Sequence, residues 1–137
     1  MKYLLDTNII SELKRKKPNQ DVVDWFEEIN TEDLYLSCIT IGELKSGALK
    51  KAKTDVKTGK LLIKWIDGLV ADYEEQILNI DLETCKIWAQ LLNIDSTNAI
   101  DGLIAAQCLQ SNMVLVTRNI KHFKMFDMKL FNPFDRE

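Results

Sequence analysis

The sequence predicts an α/β fold, in which a short parallel sheet of four to five strands lies between two layers of helices as a three-layer α/β/α sandwich. Short apolar runs alternate along the chain with longer segments whose apolar residues recur at helical spacing, an order typical of parallel strands joined by helices. The apolar runs do not alternate with polar residues, as expected for strands buried on both faces. With 137 residues and no repeat, linker or low-complexity segment, we expect a single domain over residues 1–137.

The first half of the chain contains two predicted strands and four predicted helices. The strands are the apolar runs at 3–5 and 34–39. The first helix covers 8–16 and ends at Lys17-Pro18, because proline cannot continue a helix. Helical spacing of apolar residues predicts the helices at 21–29 and 58–73, and Thr40 is predicted to open the helix that runs to residue 52.

The second half contains the remaining predicted elements. Strands are predicted at 77–80, 113–117 and, as an edge strand, 129–131. Asp81 and Asn98 are good N-cap residues, and they are predicted to open the helices that run to residues 92 and 110. A short helical turn is predicted at 120–123.

Composition excludes several classes of protein. No apolar run approaches the roughly 20 residues of a membrane helix, and the apolar triplet after Met1-Lys2 is too short for a signal peptide. The single histidine, His122, excludes multi-histidine metal sites, and the five glycines form none of the common phosphate-binding loops. The three cysteines are widely spaced, so we expect buried free thiols rather than disulfides or a zinc site.

The net charge of −3 does not indicate nucleic-acid binding, but the charges are unevenly distributed. The segment from residue 44 to residue 66 contains seven lysines and one acid, Asp55, and a second basic run covers residues 14–17. A solvated helix face is the simpler interpretation of these lysines.

Polar residues follow three of the predicted strands near the point where each ends. Asp6 follows the first, Glu43 lies shortly after the second in ITIGELKSG, and TRN at 117–119 follows the fourth. Another acid, Asp101, lies in NAIDGLIAAQCL, a helix start that is otherwise apolar or small. Ligands of parallel sheets bind beyond the carboxyl ends of the strands, so these residues are candidates for one site.

Each acid also has a capping explanation. Thr40-x-x-Glu43 fits the capping box, Asn98-x-x-Asp101 is a near variant, and Asp6 is a suitable N-cap. Together, however, three carboxylates at one sheet edge would repel each other and resist ionising. A divalent cation relieves that cost, and carboxylate oxygens suit Mg²⁺ or Mn²⁺. Such an ion lowers the pKa of a bound water and so supplies a nucleophile.

Four segments carry a resemblance to a known family. LLDTNIISEL, SCITIGELKSG, IDGLIAAQCL and LVTRNIKHF together resemble, in order and spacing, the four motifs of PIN-domain nucleases, and the match is closest to VapC-type toxins of bacterial toxin–antitoxin pairs. The resemblance implies a PIN-like α/β/α sandwich and a cytoplasmic, Mg²⁺- or Mn²⁺-dependent endoribonuclease. It also implies a homodimer that a VapB-type antitoxin holds inactive, with DNA contacted only through the antitoxin.

The resemblance also assigns roles to residues. Asp6, Glu43 and Asp101 match the three metal-binding acids, and Asn119 takes the place of the fourth motif's Asp or Asn. Because Asn119 is neutral, it is expected to bind metal weakly or to hold a metal-bound water, and the Thr117 hydroxyl is expected to assist. The expected reaction is attack of a metal-bound water on RNA, leaving 5′-phosphate and 3′-hydroxyl ends, with Glu43 as a candidate proton acceptor.

Other interpretations stay open at this stage. A free-standing RNA-processing nuclease and a non-catalytic binding protein of the same fold fit the same motifs. A haloacid-dehalogenase-like phosphatase fits poorly, because it needs D-x-D where this chain has Asp6-x-Asn8. The apolar stripe from Leu61 to Tyr73 is interpreted first as a core helix, and otherwise as a surface for a dimer partner or an antitoxin helix.

Overall fold

The structure is a computed structural model that describes residues 1–135. Its five strands are β1 (Tyr3–Leu5), β2 (Leu34–Ser37), β3 (Ile77–Leu78), β4 (Val114–Val116) and β5 (Lys129–Phe131). The α-helices of this part of the chain are α1 (Thr7–Lys14), α2 (Gln20–Glu28), α3 (Cys38–Ala52), α4 (Val56–Asp72), α5 (Leu82–Leu92) and α6 (Ala99–Ser111). A short 3-10 turn, Ile120–His122, follows β4.

All strand pairs of the sheet are parallel, and the strand order is β3-β2-β1-β4-β5. The chain adds β2 and β3 on one side of β1 and then crosses over to add β4 and β5 on the other. The direction of winding therefore reverses between β1 and β4. This reversal is the topological switch point, where crevices for ligands open at the carboxyl ends of the strands in such sheets.

The alternation of side chains along β1 divides the core into two halves. Leu4 packs with Ile104 of α6 and Leu91 of α5, whereas Leu5 packs with Ile9 of α1 and Val22 of α2. Neighbouring residues of a strand point to opposite faces of a sheet, so each half of the core belongs to one face. The predicted three-layer α/β/α sandwich is confirmed.

The second predicted strand ends earlier than expected, and the predicted helix start at Thr40 is wrong. Ser37 caps α3 instead, because its hydroxyl accepts a hydrogen bond from the Ile39 N–H at 3.0 Å. Thr40 is a fully buried residue of the first turn. Glu43 then lies in the second turn of α3, beyond the position that a capping box requires.

The other elements differ from the predictions mainly at their ends. α1 covers Thr7–Lys14 rather than 8–16, α4 begins after the cap Asp55, and β3 stops at Leu78. The edge strand β5 and the caps Asp81 and Asn98 are as predicted.

Two burial predictions were only partly right. Cys108 is buried and Cys38 is half-buried, but Cys85 is exposed, and all three are free thiols. In the apolar stripe, Ile66 and Tyr73 are buried, whereas Leu61 is 59% exposed. The stripe therefore belongs only in part to the core. Among residues 1–135, no helix has the length and apolar character needed to cross a bilayer.

Candidate active site

Asp6 lies at the switch point, between the end of β1 and the start of α1. It is itself the N-cap of α1, with extended backbone, and its Oδ1 accepts a hydrogen bond from the Thr7 N–H at 2.8 Å. Its own N–H donates to the Val116 carbonyl at 2.9 Å, which ties it to β4. The residue is 8% exposed. Asp6 is therefore an N-cap, as its residue type allows, and the same carboxylate also faces the site.

Thr117 holds the second oxygen of this carboxylate. Its hydroxyl donates to Asp6 Oδ2 at 2.8 Å and accepts from the Asn119 N–H at 3.0 Å. The Asn8 amide lies 3.4 Å from both Asp6 Oδ2 and Thr117 Oγ1, and Asn8 Oδ1 accepts from the Arg118 N–H at 3.1 Å. The start of α1 and the loop after β4 are therefore locked together around Asp6.

Glu43 reaches the site from α3. Its Oε1 accepts a hydrogen bond from the Thr7 hydroxyl at 2.6 Å, and that hydroxyl also lies 3.3 Å from Thr40 Oγ1. Glu43 is exposed, and it has no part in capping α3. The contact with Thr7 therefore places the second acid beside the first.

Asp101 reaches the site from the first turn of α6. Its N–H donates to the cap Asn98 at 3.3 Å, while its carboxylate Oδ2 lies 3.2 Å from His122 Nδ1. The α5 residue Trp88 supports this turn, because its indole N–H donates to the Ala99 carbonyl at 3.1 Å. Capping explains the backbone of this turn but not the direction of the Asp101 carboxylate.

Burial and neighbouring charges shift the pKa values of two of the acids, Asp6 and Asp101. Burial raises the pKa of Asp6 above its usual range; hydrogen bonds from Thr117 and Thr7 oppose this shift, and the charge of Glu43 adds to it. Burial also raises the pKa of Asp101, with a further contribution from the charge of Asp6, whereas His122 acts in the opposite direction. The site therefore concentrates negative charge that is poorly solvated, the condition that a bound cation relieves.

The carboxylates do not, as they stand, form a finished set of direct metal ligands. Within the described residues, no group of three or more His, Cys, Asp or Glu side chains is placed to hold a metal ion. The hydrogen bonds explain this spread, because Thr7 holds Glu43 and His122 holds Asp101. All the donors that the acids offer are oxygens, which suit Mg²⁺ or Mn²⁺.

Asn119 lies at the margin of this arrangement. Its backbone N–H donates to the Thr117 hydroxyl, and the residue also lines a cavity of about 350 Å³. The structure thus connects Asn119 to Asp6 through the Thr117 hydroxyl.

Two contacts of the site were not predicted from sequence. These are the hydrogen bond from Thr7 to Glu43, which spans 36 positions, and the pairing of His122 with Asp101, which spans 21. The available signal was the location of Thr7 and His122 inside the segments that carry the motifs. The residue type alone did not indicate which acid each would contact.

A parallel α/β/α sandwich with acids gathered at its switch point defines a PIN-like protein. Residues 3–127 match the PIN domain, and the chain belongs to that family. The resemblance to VapC-type toxins is confirmed by the comparisons that follow.

Curated relatives match over nearly the full length of the chain. Toxin FitB of Neisseria gonorrhoeae is 35% identical over 139 residues, covering 96% of this chain and 97% of its own. VapC ribonuclease Y4jK of Sinorhizobium fredii is 30% identical over 138 residues, covering 96% of this chain and 97% of its own.

Solved structures show the same fold. The crystal structure of FitAcB from Neisseria gonorrhoeae superposes with a TM-score of 0.91 at 34% identity, covering 98% of this chain and 99% of that chain. The structure of VapBC-1 from nontypeable Haemophilus influenzae gives a TM-score of 0.78 at 27% identity, covering 97% and 98%. The sheet and helices of this chain therefore have counterparts in the FitAcB and VapBC-1 structures.

Proposed function

We propose that this protein is a Mg²⁺- or Mn²⁺-dependent endoribonuclease and the toxin of a VapBC-type pair. The observation that carries the proposal is that Asp6, at the switch point of a PIN-domain sheet, lies near enough to Glu43 and Asp101 for the charges of Asp6 and Glu43 to raise the pKa of Asp101. The names of the relatives, toxin FitB and VapC ribonuclease Y4jK, support the activity and the biological role.

The donor set fits a hard divalent cation. Asp6 is fixed by its hydrogen bonds, so it is the natural anchor, and the charges of Glu43 and Asp6 both act on Asp101. Glu43 is exposed and Asp101 is held by a single contact with a partly exposed histidine, so both can reorient toward an ion. Because Mg²⁺ usually keeps several waters, it needs few direct protein ligands, which agrees with the spread of these carboxylates.

When bound, the cation supplies an activated water and neutralises charge on the phosphodiester. The chain's own residues do the rest. Thr117 and the Thr7 N–H keep the Asp6 carboxylate in one orientation. Glu43, which is exposed, is proposed to accept a proton from the attacking water. Asn119 is proposed to assist at the margin of the site.

A groove beside the site is proposed to receive the antitoxin. It has a volume of about 270 Å³, and its walls come from α1, α3 and α4. Leu62, Trp65 and Ile66 make it apolar, and Glu43 lies in its wall. An amphipathic helix in this groove would cover Glu43, which explains how an antitoxin can hold the enzyme inactive. A homodimer, cytoplasmic location and contact with DNA through the antitoxin belong to the same proposal.

Expression in a bacterial host tests this proposal. We expect expression of the wild-type protein to arrest growth, and co-expression of a small antitoxin encoded beside the gene to relieve the arrest. Asp6→Asn should abolish it, because the amide keeps the helix cap but loses the charge. Asp81→Asn is the control, since Asp81 also caps a helix, α5, where its carboxylate accepts from the Thr84 N–H.

The outcomes separate the alternatives. Arrest that Asp6→Asn leaves intact would reject the acid site and favour a non-catalytic binding protein. Cleavage of RNA by the purified protein without growth arrest or an adjacent antitoxin gene would favour a free-standing RNA-processing nuclease.

A further inference from the structure

A second cavity, of about 350 Å³, lies next to the acids on the side of the loop after β4. We call it the basic cavity and define it by Arg118, Lys121 and Lys124, which line it together with Asn119, His122 and Asp135. The function proposed above makes no use of its three cations.

The cavity is positive in a protein whose net charge is −3. Among residues 1–135, Asp135 is the one acid in its lining, and its carboxylate accepts a hydrogen bond from the Asn132 amide at 3.1 Å. The ion pairs found within residues 1–135 involve none of the three cations. The charge of Arg118 also acts on Glu12, whose pKa it helps to lower, whereas the charges of Lys121 and Lys124 are available to an anion that enters the cavity.

Arg118 is held in place before any ligand arrives. Its guanidinium lies 4.5 Å from the centre of the Phe134 ring, a cation–π contact. Its backbone N–H donates to Asn8 Oδ1 at 3.1 Å. Fixing a cation in advance reduces the entropy that a ligand must lose on binding.

The basic cavity shares two connections with the acidic site. His122, in its wall, lies 3.2 Å from Asp101 Oδ2. Asn119, also in its wall, donates its N–H to Thr117, whose hydroxyl donates to Asp6. The basic cavity therefore adjoins the acidic site.

We propose that the basic cavity binds a backbone phosphate of single-stranded RNA, adjacent to the phosphodiester at the acids. The proposal rests on the function proposed above. Lysine ammonium groups and an arginine fork are the usual protein partners of phosphate. Because phosphate contacts position a nucleic acid without reading its bases, the cavity fixes where the strand lies and not which sequence is cut.

Salt-dependent binding tests the cavity without any cleavage. A short fluorescein-labelled single-stranded RNA is titrated with protein in EDTA, and fluorescence anisotropy gives the affinity at several salt concentrations. The test variant is Lys121→Gln/Lys124→Gln. The control is Lys50→Gln/Lys53→Gln, which removes the same charge from exposed lysines of a different cavity on α3.

Each phosphate contact contributes about −0.7 to the slope of log K against log salt for single strands. Because the cavity is proposed to hold one phosphate, the test pair should lower the magnitude of the slope by up to about 0.7, and the control pair should leave it nearly unchanged. An equal loss in both pairs, or no loss in the test pair, would overturn the assignment. Circular dichroism confirms that both pairs are folded.

Kinetics provide a second readout and separate this proposal from the first. With Mg²⁺, the test pair should raise KM and keep kcat, because the contact is made in substrate and transition state alike. A fall in kcat at unchanged KM would overturn it. Asp101→Asn should lose cleavage but keep the wild-type salt slope. A protein that binds with the expected slopes but never cleaves would refute the ribonuclease proposal and leave the phosphate site standing.

Discussion

Replacing Thr117 with valine tests how the site holds Asp6. Thr117 is fully buried, and its hydroxyl donates to the Asp6 carboxylate and accepts from the Asn119 N–H. Valine has the same shape but no hydroxyl, so the backbone and packing should stay in place. The change removes one hydrogen bond from a buried carboxylate and one partner from a backbone N–H.

The cost can be estimated from those two contacts. A hydrogen bond to a charged group contributes about 1.5–3 kcal/mol. The Asn119 N–H should recover part of its loss from water, because Asn119 is exposed. We therefore expect Thr117→Val to lower the free energy of unfolding by roughly 2 kcal/mol, which for a chain of this size lowers Tm by roughly 8 °C.

The assay is urea unfolding at neutral pH in EDTA, combined with a double-mutant cycle. In an Asp6→Asn background the Thr117 hydroxyl no longer contacts a charge, so the same Thr117→Val change should cost less, with a coupling of about 1 kcal/mol. NMR of the Asp6 carboxyl carbon should show that the pKa of Asp6 is higher in Thr117→Val than in wild type, because the hydrogen bond that the variant lacks stabilises the ionised carboxylate.

A cost below about 0.5 kcal/mol with no coupling would refute this reasoning. An unchanged or lower Asp6 pKa in Thr117→Val would refute it independently. Either result would mean that Asp6 is oriented by its helix cap alone.

Three further predictions concern stability. Gly59→Ala should lower the free energy of unfolding by about 1–3 kcal/mol, because the added Cβ would lie 2.5 Å from the Ala52 Cβ. The control Gly68→Ala, whose added Cβ would have nothing within 4 Å, should raise the free energy of unfolding by about 0.5–1 kcal/mol. Urea unfolding measures both changes. In EDTA, Asp6→Asn should be more stable than wild type at neutral pH and lose that advantage below pH 3.8. Burial raises the pKa of Asp6 in the folded state, so the stability of the wild type falls as pH rises from 3.8 through that raised pKa. Glu12→Gln should behave oppositely: the Asn19 N–H lowers the Glu12 pKa, so the wild-type advantage exists above pH 4.5 and disappears as pH falls through the lowered value. Unfolding curves with the same pH dependence in wild type and variant would contradict the last two.

The sequence was sufficient to predict the fold and the position of Asp6 at the carboxyl edge of the sheet. Apolar runs buried on both faces, separated by helical patterns, have few arrangements other than a covered parallel sheet. Once the sheet is parallel, the acid that follows its first strand must lie at the carboxyl edge, and Asp6 does.

The helix starts were harder to predict, because several residues in a row could cap. Ser37 and Thr40 are both good N-cap residues. Ser37 is the N-cap of α3 in the structure, and its hydroxyl also donates to the buried Gln107 at 2.6 Å. That partner lies 70 positions away. Local sequence patterns cannot predict such a contact. The sequence therefore favoured Thr40 as the cap and Glu43 as its capping-box partner, and in the structure neither residue has that role.

The contacts within the site could not be predicted from the sequence either, because their partners are also far apart along the chain. Nothing local to His122 indicates that it lies against Asp101, and nothing local to Thr7 indicates Glu43 rather than Asp6 as the partner of its hydroxyl. The role of Asn119 at a metal stays a prediction.

Mapping the ends of RNA fragments tests the central claim most directly. Total RNA is incubated with wild-type protein or Asp101→Asn, with Mg²⁺ or with EDTA, and the product ends are identified. Attack by water activated at a cation held by Asp6, Glu43 and Asp101 predicts cleavage by the wild type with Mg²⁺ alone, leaving 5′-phosphate and 3′-hydroxyl ends. Cleavage that persists in EDTA or in Asp101→Asn, or products with 2′,3′-cyclic phosphate ends, would contradict it.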